Sequence, residues 1–197
     1  MRCRRGRGER GATLVESALI TPVLLLFVFG IFEFGFAFRD YLAVSNIVRD
    51  AAREASVAGN ATDADYRILR AVDRAASALP DGSIDRLIVF EATSAESTPH
   101  ADCIAGTSRG PTGSERCNVY DASHLSLAEG EFLCAPLPAP PDPDYYFCPT
   151  DRDVIVGNLD YVGIWVQVTH EYITGLFGDT VTFTDQIILK LEPQDHS

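Results

Sequence analysis

The sequence is short of basic residues and lacks several patterns that mark common catalytic and metal sites. Its formal net charge is −12 over 197 residues, so it offers little attraction to phosphate backbones, and we exclude nucleic acid as a partner. It contains no Walker-type phosphate loop, no HExxH pattern and no C-x-x-C pair. We therefore predict a protein that is not an enzyme, with no catalytic residue, no metal and no cofactor.

Charge is also absent from one long internal stretch. The uncharged run is Ser17–Phe32, and it is rich in leucine and phenylalanine. With Glu16 and Glu33 tolerated at its ends, the apolar segment is about 26 residues long, or roughly 39 Å as a helix, which exceeds the ~30 Å hydrocarbon core of a bilayer. We predict a transmembrane segment at residues 12–38, with membrane lipid as its surroundings.

The charge that is present divides the chain in two. Residues 1–11 carry a net charge of +4 and the rest of the chain carries −16. Basic residues beside a span stay in the cytoplasm, so we predict a single-pass protein of a bacterial cell membrane, with the N-terminus inside and the acidic C-terminal part outside. An RNA-binding arm is the alternative for the tail, but the apolar run follows it at once. The arginines of the tail are Arg2, Arg4, Arg5, Arg7 and Arg10.

Periodicity beyond the span predicts an α+β fold. The helical pattern continues to about Val57 and ends at Gly59, so the first helix is one long transmembrane and amphipathic rod. A second, shorter helix should start at Thr62 with Asp65 in a capping-box-like arrangement. Stretches rich in β-formers predict three strands of a small antiparallel sheet, at 86–92, 161–171 and 180–191. The predicted segments are a basic cytoplasmic leader (1–11), the transmembrane segment (12–38), extracytoplasmic helices with the first strand (39–92), an irregular Cys/Pro-rich insertion outside the core (93–158) and C-terminal strands (159–197).

Four of the five cysteines lie in the outer half of the chain. Four cysteines there indicate two disulfides and an oxidising compartment. Their spacings are equal, which makes sequential pairing attractive, but three connectivities are possible. Zinc binding with the nearby His100 and His124 is the alternative, and we disfavour it because no metal-site spacing is present. Cys3 should be a free thiol in the leader. The four outer cysteines are Cys103, Cys117, Cys134 and Cys148.

Three polar or aromatic features lie among the predicted strands and the loops before them. His170 and Glu171, at the end of a predicted strand, are interpreted as a surface pair, and Trp165 as a core residue. Four aspartates are interpreted as a solvated acidic loop, because their spacing is not that of an EF-hand calcium site. Those aspartates are Asp142, Asp144, Asp151 and Asp153.

The junction at the start of the apolar run carries the most specific pattern. A basic tail ends in Gly11-Ala12, and Glu16 is the fifth residue after Gly11. Further on come Phe29-Gly30-Ile31-Phe32-Glu33-Phe34-Gly35 and the run 51–55, Ala-Ala-Arg-Glu-Ala. Together these resemble the class III signal of type IV prepilins and the TadE-like family of the tight-adherence pilus system. The resemblance covers about 45 residues. It departs from the family at Phe36, where a basic residue is usual, and the Cys/Pro insertion is not part of it.

The resemblance implies a role in pilus assembly. A prepilin peptidase would cut after Gly11, and Glu16 would pair with the new amine of Ala12 on a neighbouring subunit. The alternative for Glu16 is an interfacial side chain that only extends its carboxylate to the membrane surface. Glu33 would contact a partner helix or mark the outer membrane edge. The implied partners are that peptidase, other pilin-like subunits met through the N-terminal helix, and the inner-membrane assembly platform, with a place at the cell surface or in the pilus left open.

Two other functions fit parts of the sequence. One is an unprocessed, signal-anchored protein whose outer domain binds a surface partner or a sugar. The other is a secreted protein or enzyme, released after a signal peptide cut near Gly35-Phe36-Ala37, which loosely matches a small-x-small site. Glu33 beside that site and the helix continuing past it weigh against secretion.

Overall fold

A computed structural model describes residues 9–110, 112–136 and 140–193. Residues 1–8 of the predicted leader, which include Cys3, lie outside the described residues. The side chains of Glu9 and Arg10 are likewise outside the description.

One helix dominates the molecule. Helix α1 runs from Glu9–Ala58, about 75 Å at 1.5 Å per residue. It continues through Pro22 and stops where Gly59 takes a φ of +57°, a conformation that glycine adopts without steric strain. The predicted long rod is therefore confirmed, and it begins a few residues earlier than its periodicity indicated.

The remaining elements form two short helices and a four-stranded sheet. The strand order is β2-β1-β3-β4, and every pairing is antiparallel. Apart from three further 3-10 turns between β2 and β3, the elements after α1 are α2 (Ala64–Ala75) with a 3-10 turn (Ala76–Ala78), β1 (Ile84–Ala92), α3 (Ala101–Ile104), β2 (Cys117–Tyr120), β3 (Tyr161–Glu171) and β4 (Thr180–Lys190). The predicted α+β class and the three predicted strands are confirmed.

Both faces of the sheet are covered. Alternate side chains of β1 and β3, such as Leu87 and Ile164, point at α1 and α2 and form the main core with them. On the opposite face Ile88, Phe90 and Trp165 form a smaller cluster with the first disulfide. Trp165 is therefore a core residue, as predicted.

The Cys/Pro-rich segment is part of the core, which corrects the prediction that it lies outside it. It supplies the edge strand β2, and it contributes the buried rings of Tyr120, Phe132 and Phe147 to the main cluster. Strand β2 is too short for its alternation of polar and apolar residues to be recognised in the sequence. The aromatic residues of the segment are isolated and follow no helical or strand period. The physical reason for their burial is that α2 alone leaves part of the sheet and of its own apolar face uncovered.

The predicted capping box of α2 is wrong. The helix begins at Ala64 with Asp63 at the N-cap, and Asp63 makes no side-chain capping bond. Asp65 does not turn back to the helix start, because its carboxylate points into the core and binds other partners there.

Candidate functional site

Helix α1 changes its surroundings abruptly at Gly30. Every residue from Gly11 to Phe29 is exposed. From Gly30 onwards, side chains spaced three or four apart are buried, which is one face of a helix. The buried residues on that face are Gly30, Glu33, Ala37, Asp40, Ala43, Val44, Ile47, Val48, Ala51, Ala52, Ala55, Ser56 and Ala58. We call residues 11–29 the free half of α1 and residues 30–58 the docked half.

The free half has the composition of a membrane span. Leu19, Leu24 and Phe27 are more than half exposed, and such a contiguous apolar surface is rare on a protein surrounded by water. By length and composition, α1 is the one helix among the described residues that could cross a membrane. The length of α1 and the apolar composition of its free half make this helix suited to membrane anchoring.

The docked half is fastened to the sheet by polar contacts as well as by its small apolar side chains. Ser45 donates a hydrogen bond to the carboxylate of Asp185 on β4, with Oγ–Oδ2 at 2.6 Å. Ser56 donates to the backbone carbonyl of Lys190, on the same strand, at 3.0 Å. The alanines at 51, 52 and 55 are fully buried and let the helix approach the sheet closely.

The turn between β3 and β4 meets α1 where its two halves join. We call residues 172–178 the hairpin tip. Glu33 is 1% exposed, and its carboxylate accepts hydrogen bonds from the backbone N–H of Ile173, at 3.0 Å, and of Thr174. Charge-assisted bonds of this kind offset the cost of withdrawing a carboxylate from water. The contact lies within the chain, and neither sequence interpretation of Glu33 included it.

An aromatic contact reinforces the same joint. The ring of Phe177 lies 3.4 Å from the point where a Cβ on Gly30 would stand, and its centroid is 4.9 Å from that of Phe34. Gly30, Glu33 and Phe34 of the Phe-Gly-x-x-Glu-Phe-Gly pattern thus all face the hairpin tip. Gly35 does not, since a Cβ there would meet nothing within 4 Å.

A buried hydrogen-bonded pair, Asp40 and His170, lies two turns further along α1. Asp40 is 1% exposed and His170 is 6% exposed. His170 Nδ1 is 2.7 Å from Asp40 Oδ2, and Arg39 donates to the other carboxylate oxygen at 2.8 Å. The interpretation of His170 as half of a surface pair is therefore wrong, whereas Glu171 beside it is exposed. The alternation of β3 places His170 on the helix-facing side, and the buried Asp40 compensates its polarity.

The residues of the predicted processing and assembly site lie together at the start of the free half. Gly11, Ala12 and Glu16 are exposed on a continuous helix. A Cβ at Gly11 would meet nothing within 4 Å, so the fold does not require glycine there. Glycine inside a helix costs about 0.5–1 kcal/mol relative to alanine. Its presence at position 11 therefore needs a reason outside the folded chain.

The outer cysteines pair sequentially. Cys103 bonds to Cys117, which ties α3 to the edge strand β2. Cys134 bonds to Cys148 and closes a loop that lies over the main core. The two histidines near them serve as local caps. His100 accepts a hydrogen bond at the start of α3, and His124 bonds Asp121 at the start of a 3-10 turn, Ala122–Ser126.

A buried polar cluster fixes the Cys/Pro-rich segment to α2. Asp65 Oδ1 is 2.5 Å from Arg152 Nη2, and both side chains are wholly buried. Its other oxygen accepts from Tyr120 Oη at 2.5 Å and from Asn118 Nδ2 at 2.8 Å. Burial raises the pKa of Tyr120 well above its usual value, and the Asp65 charge raises it further. The tyrosine therefore stays protonated and donates to the carboxylate.

Asp144 lies beside this cluster and corrects one more interpretation. The interpretation as part of a solvated loop is wrong for Asp144, because it is buried and its Oδ1 accepts a hydrogen bond from the backbone N–H of Cys134 at 3.0 Å. Burial, followed by repulsion from Asp65, raises its pKa to about 6. Asp151 is exposed. Asp142 is partly exposed, and its carboxylate accepts hydrogen bonds from the backbone N–H groups of Leu133 and Ala135. The sequence gives no signal of this cluster, because its members lie far apart along the chain.

One further pattern, Gly106-Thr107-Ser108-Arg109-Gly110, has the spelling G-x-S-x-G. In α/β-hydrolases that pattern marks a nucleophile on a sharp strand-to-helix turn. Here it lies in the loop between α3 and β2, and Ser108 Oγ accepts a hydrogen bond from the backbone N–H of Val119. The surrounding structure is not that of a nucleophile elbow.

The docked and free halves of α1 together contain the stretch that a known family shares. Residues 11–53 match the family model described as TadE-like protein. This segment is TadE-like. The TadE-like segment is about a fifth of the chain, includes Gly11, Glu16, Glu33 and Asp40, and ends before the sheet begins. The resemblance inferred from the sequence is confirmed. No curated protein and no solved structure matches the chain.

Proposed function

We propose that the chain is a pilin-like structural protein of a tight-adherence pilus or a related secretion system. In this proposal the free half of α1 spans the cell membrane, residues 1–11 face the cytoplasm, and the sheet domain stands outside. The chain works as a subunit or an assembly factor and has no enzymatic role. Its partners are other pilin-like subunits, a prepilin peptidase and the inner-membrane assembly platform.

The free half of α1 carries the proposal. It is a TadE-like helix that leaves all of its side chains exposed while the rest of the chain folds against its other half. A pilin-like subunit needs this division, because its helix has to move from lipid into a bundle of other helices without disturbing the outer domain. The two disulfides suit an oxidising compartment outside the membrane.

Processing after Gly11 is the second part of the proposal. The exposed Gly11 has no packing role, and a protease needs close approach to the backbone at the bond it cuts. Cleavage would remove the arginine tail and free the amine of Ala12. Glu16 would then pair with that amine on a neighbouring subunit, which neutralises two charges that are costly at the membrane edge.

The mass of the protein extracted from the membrane of its native host tests the proposal. We expect a chain that begins at Ala12. Gly11→Val should block the cut, and Gly35→Val is the matched control, since it alters another helical glycine with open space around it. A wild-type chain that still begins at Met1 would contradict processing.

An unprocessed, signal-anchored binding protein is the alternative. Glu16→Gln separates it from the first proposal, because it removes the charge and keeps the size of the side chain. If the helix assembles with its neighbours through Glu16, the variant should insert in the membrane but fail to join surface structures. Unchanged assembly would favour the alternative.

Secretion after a cut near Ala37 is disfavoured by the contacts of the hairpin tip. Such a cut would remove Glu33 and Gly30, and with them the hydrogen bonds and ring contact that the tip makes. Fractionation tests this, since a soluble chain beginning at Phe38 would support secretion.

A further inference from the structure

We propose that the hairpin tip is a second membrane contact, which enters the outer leaflet beside α1 and takes lipid as its partner. The inference rests on the proposed membrane orientation and goes beyond it, because it gives a lipid-binding surface to the sheet domain. The tip would hold the domain at a fixed height and rotation on the membrane.

The composition of the tip matches such a partner. Residues 172–178 read Tyr-Ile-Thr-Gly-Leu-Phe-Gly and contain no charge, while Glu171 and Asp179 flank them. Ile173 is 74% exposed and Leu176 is 55% exposed. Apolar side chains at the end of a turn suit the hydrocarbon of a membrane, and the flanking carboxylates suit the water or headgroups at its surface.

The position of the tip along α1 gives the depth. Phe177 packs against Gly30 and Phe34. A hydrocarbon core of ~30 Å takes about 20 helical residues, and counted from Ala12 it ends close to residue 31. The tip therefore reaches the outer boundary of the core, where acyl chains meet headgroups.

Four backbone N–H groups of the tip are bonded within the protein, which suits a place at the edge of a bilayer. Backbone groups without partners are costly in a bilayer, and irregular backbone is tolerated there only where other protein groups bind it. The N–H groups of Ile173 and Thr174 donate to Glu33, and that of Leu176 donates to Thr174 Oγ1. The N–H of Tyr172 donates to the carbonyl of Asp179. A carboxylate at the depth of Glu33 is therefore explained by its role as the hydrogen-bond acceptor for the N–H groups of Ile173 and Thr174.

The apolar surface is continuous from the span to the tip. Beyond Phe29 the exposed side chains of Ile31, Phe32 and Phe34 continue this surface along α1, and the ring of Phe34 contacts Phe177 of the tip. An apolar groove with aromatic side chains lies beside this contact, between the docked half and β4. Aromatic residues are enriched at the membrane boundary. The groove is lined by Phe34, Ala37, Phe38, Tyr41, Tyr172, Val181 and Phe183. Because this surface runs without a break from the helix that suits lipid, we assign lipid as its occupant rather than a second copy of the chain.

Tryptophan fluorescence with brominated lipid tests the proposal on the full chain. The single tryptophan, Trp165, is first replaced in Trp165→Phe. Leu176→Trp then places a tryptophan on the tip, and Ile173→Trp is a second variant should the first fail to fold. Val156→Trp is the matched control, an exposed apolar position in the loop whose Asp160 bonds Leu191, near the far end of α1. The proteins are reconstituted in phosphatidylcholine–phosphatidylglycerol vesicles.

We expect the tip tryptophan to lose most of its emission when bromine lies near the headgroup, and less when it lies near the terminal methyl. The Val156→Trp chain should not respond. Equal, weak quenching at positions 176 and 156 would overturn the proposal. A blue-shifted but unquenched tip at high lipid-to-protein ratio would also overturn it, because a protein neighbour would then cover the tip.

A tryptophan in the span separates this inference from the proposed function. Phe27→Trp lies in the free half of α1 and should be quenched whenever the helix is in the bilayer. Quenching at position 27 without quenching at 176 would contradict the proposal that the tip binds lipid, but it would still support α1 as the membrane anchor. No quenching at either position would contradict the anchor itself.

Discussion

The free half of α1 and the sheet domain place their side chains in opposite ways. The free half exposes leucine, valine and phenylalanine over about five turns. The domain hides charged groups, among them Asp65, Arg152 and Asp40. Exposed apolar surface is unfavourable in water, whereas the buried charges are tolerated because they have partners within the fold. The comparison fits the proposal that the chain works in two solvents, with the joint at Gly30–Glu33.

The largest expected effect comes from breaking the buried ion pair of the domain. Arg152→Ala leaves Asp65 buried without its cation and should lower the free energy of unfolding by about 3–5 kcal/mol. Arg49→Ala, at an exposed arginine of α1, should change it by less than about 0.5 kcal/mol. Urea unfolding of the full chain in detergent micelles measures both.

A rescue variant shows whether the loss comes from the stranded charge. Asp65→Asn combined with Arg152→Met removes both charges and should be more stable than Arg152→Ala alone. Arg152→Ala within about 1 kcal/mol of the wild type would mean that the pair does not hold the Cys/Pro-rich segment in place.

Matched isoleucines compare the two halves of α1 directly. Ile47→Ala removes a fully buried side chain from the docked half and should cost about 2–5 kcal/mol. Ile20→Ala, at an exposed position of the free half, should leave urea unfolding of the domain unchanged. Similar losses for the two variants would show that the halves are not independent.

The joint between the halves should respond to Glu33→Gln. The change keeps the size of the side chain and removes the charge that the N–H groups of Ile173 and Thr174 face. Hydrogen bonds to charged groups are worth about 1.5–3 kcal/mol, so deuterium exchange should become faster in the hairpin tip. Mass spectrometry of the peptide containing the tip measures it. Glu16→Gln is the control and should leave that exchange as it is.

The smallest expected effect depends on pH. The pKa of Asp144 is raised from 3.8 to about 6, so the folded chain binds this proton more tightly than the unfolded chain does. The contribution of Asp144 to stability should therefore fall as pH rises from about 4 to about 6, by roughly 1–2 kcal/mol after allowance for screening. Asp144→Asn should remove this slope in urea unfolding measured at several pH values. The exposed Asp81→Asn should keep it, and a slope that persists in Asp144→Asn would exclude Asp144 as its source.

Local patterns were enough to predict the elements of the fold. The apolar run and the stripe after it predicted α1, and alternation predicted β3 at its observed bounds, Tyr161–Glu171. The order of Gly11, Glu16 and Glu33 predicted the family resemblance. These features depend on residues close together in the chain, so the sequence displays them directly.

Contacts between distant segments could not be predicted in this way. Glu33 binds amides about 140 residues later in the chain, and Asp65 binds Arg152 across 87 residues. No period links such positions, and each aspartate or glutamate looks solvent-exposed when only its neighbours in the chain are considered. The burial of His170, Asp144 and the rings of the Cys/Pro-rich segment follows from how the sheet is covered, which is a property of the whole fold.

Labelling from outside intact cells tests most directly that the halves of α1 lie in different solvents. Ser17→Cys in the free half and Asn46→Cys in the docked half are both exposed in the fold, so the fold of the chain does not make them differ. In a Cys3→Ser background, a membrane-impermeant maleimide should label the cysteine at 46 and spare the cysteine at 17. Equal labelling of the two positions, or labelling of 17 alone, would contradict a free half that spans the membrane with the domain outside.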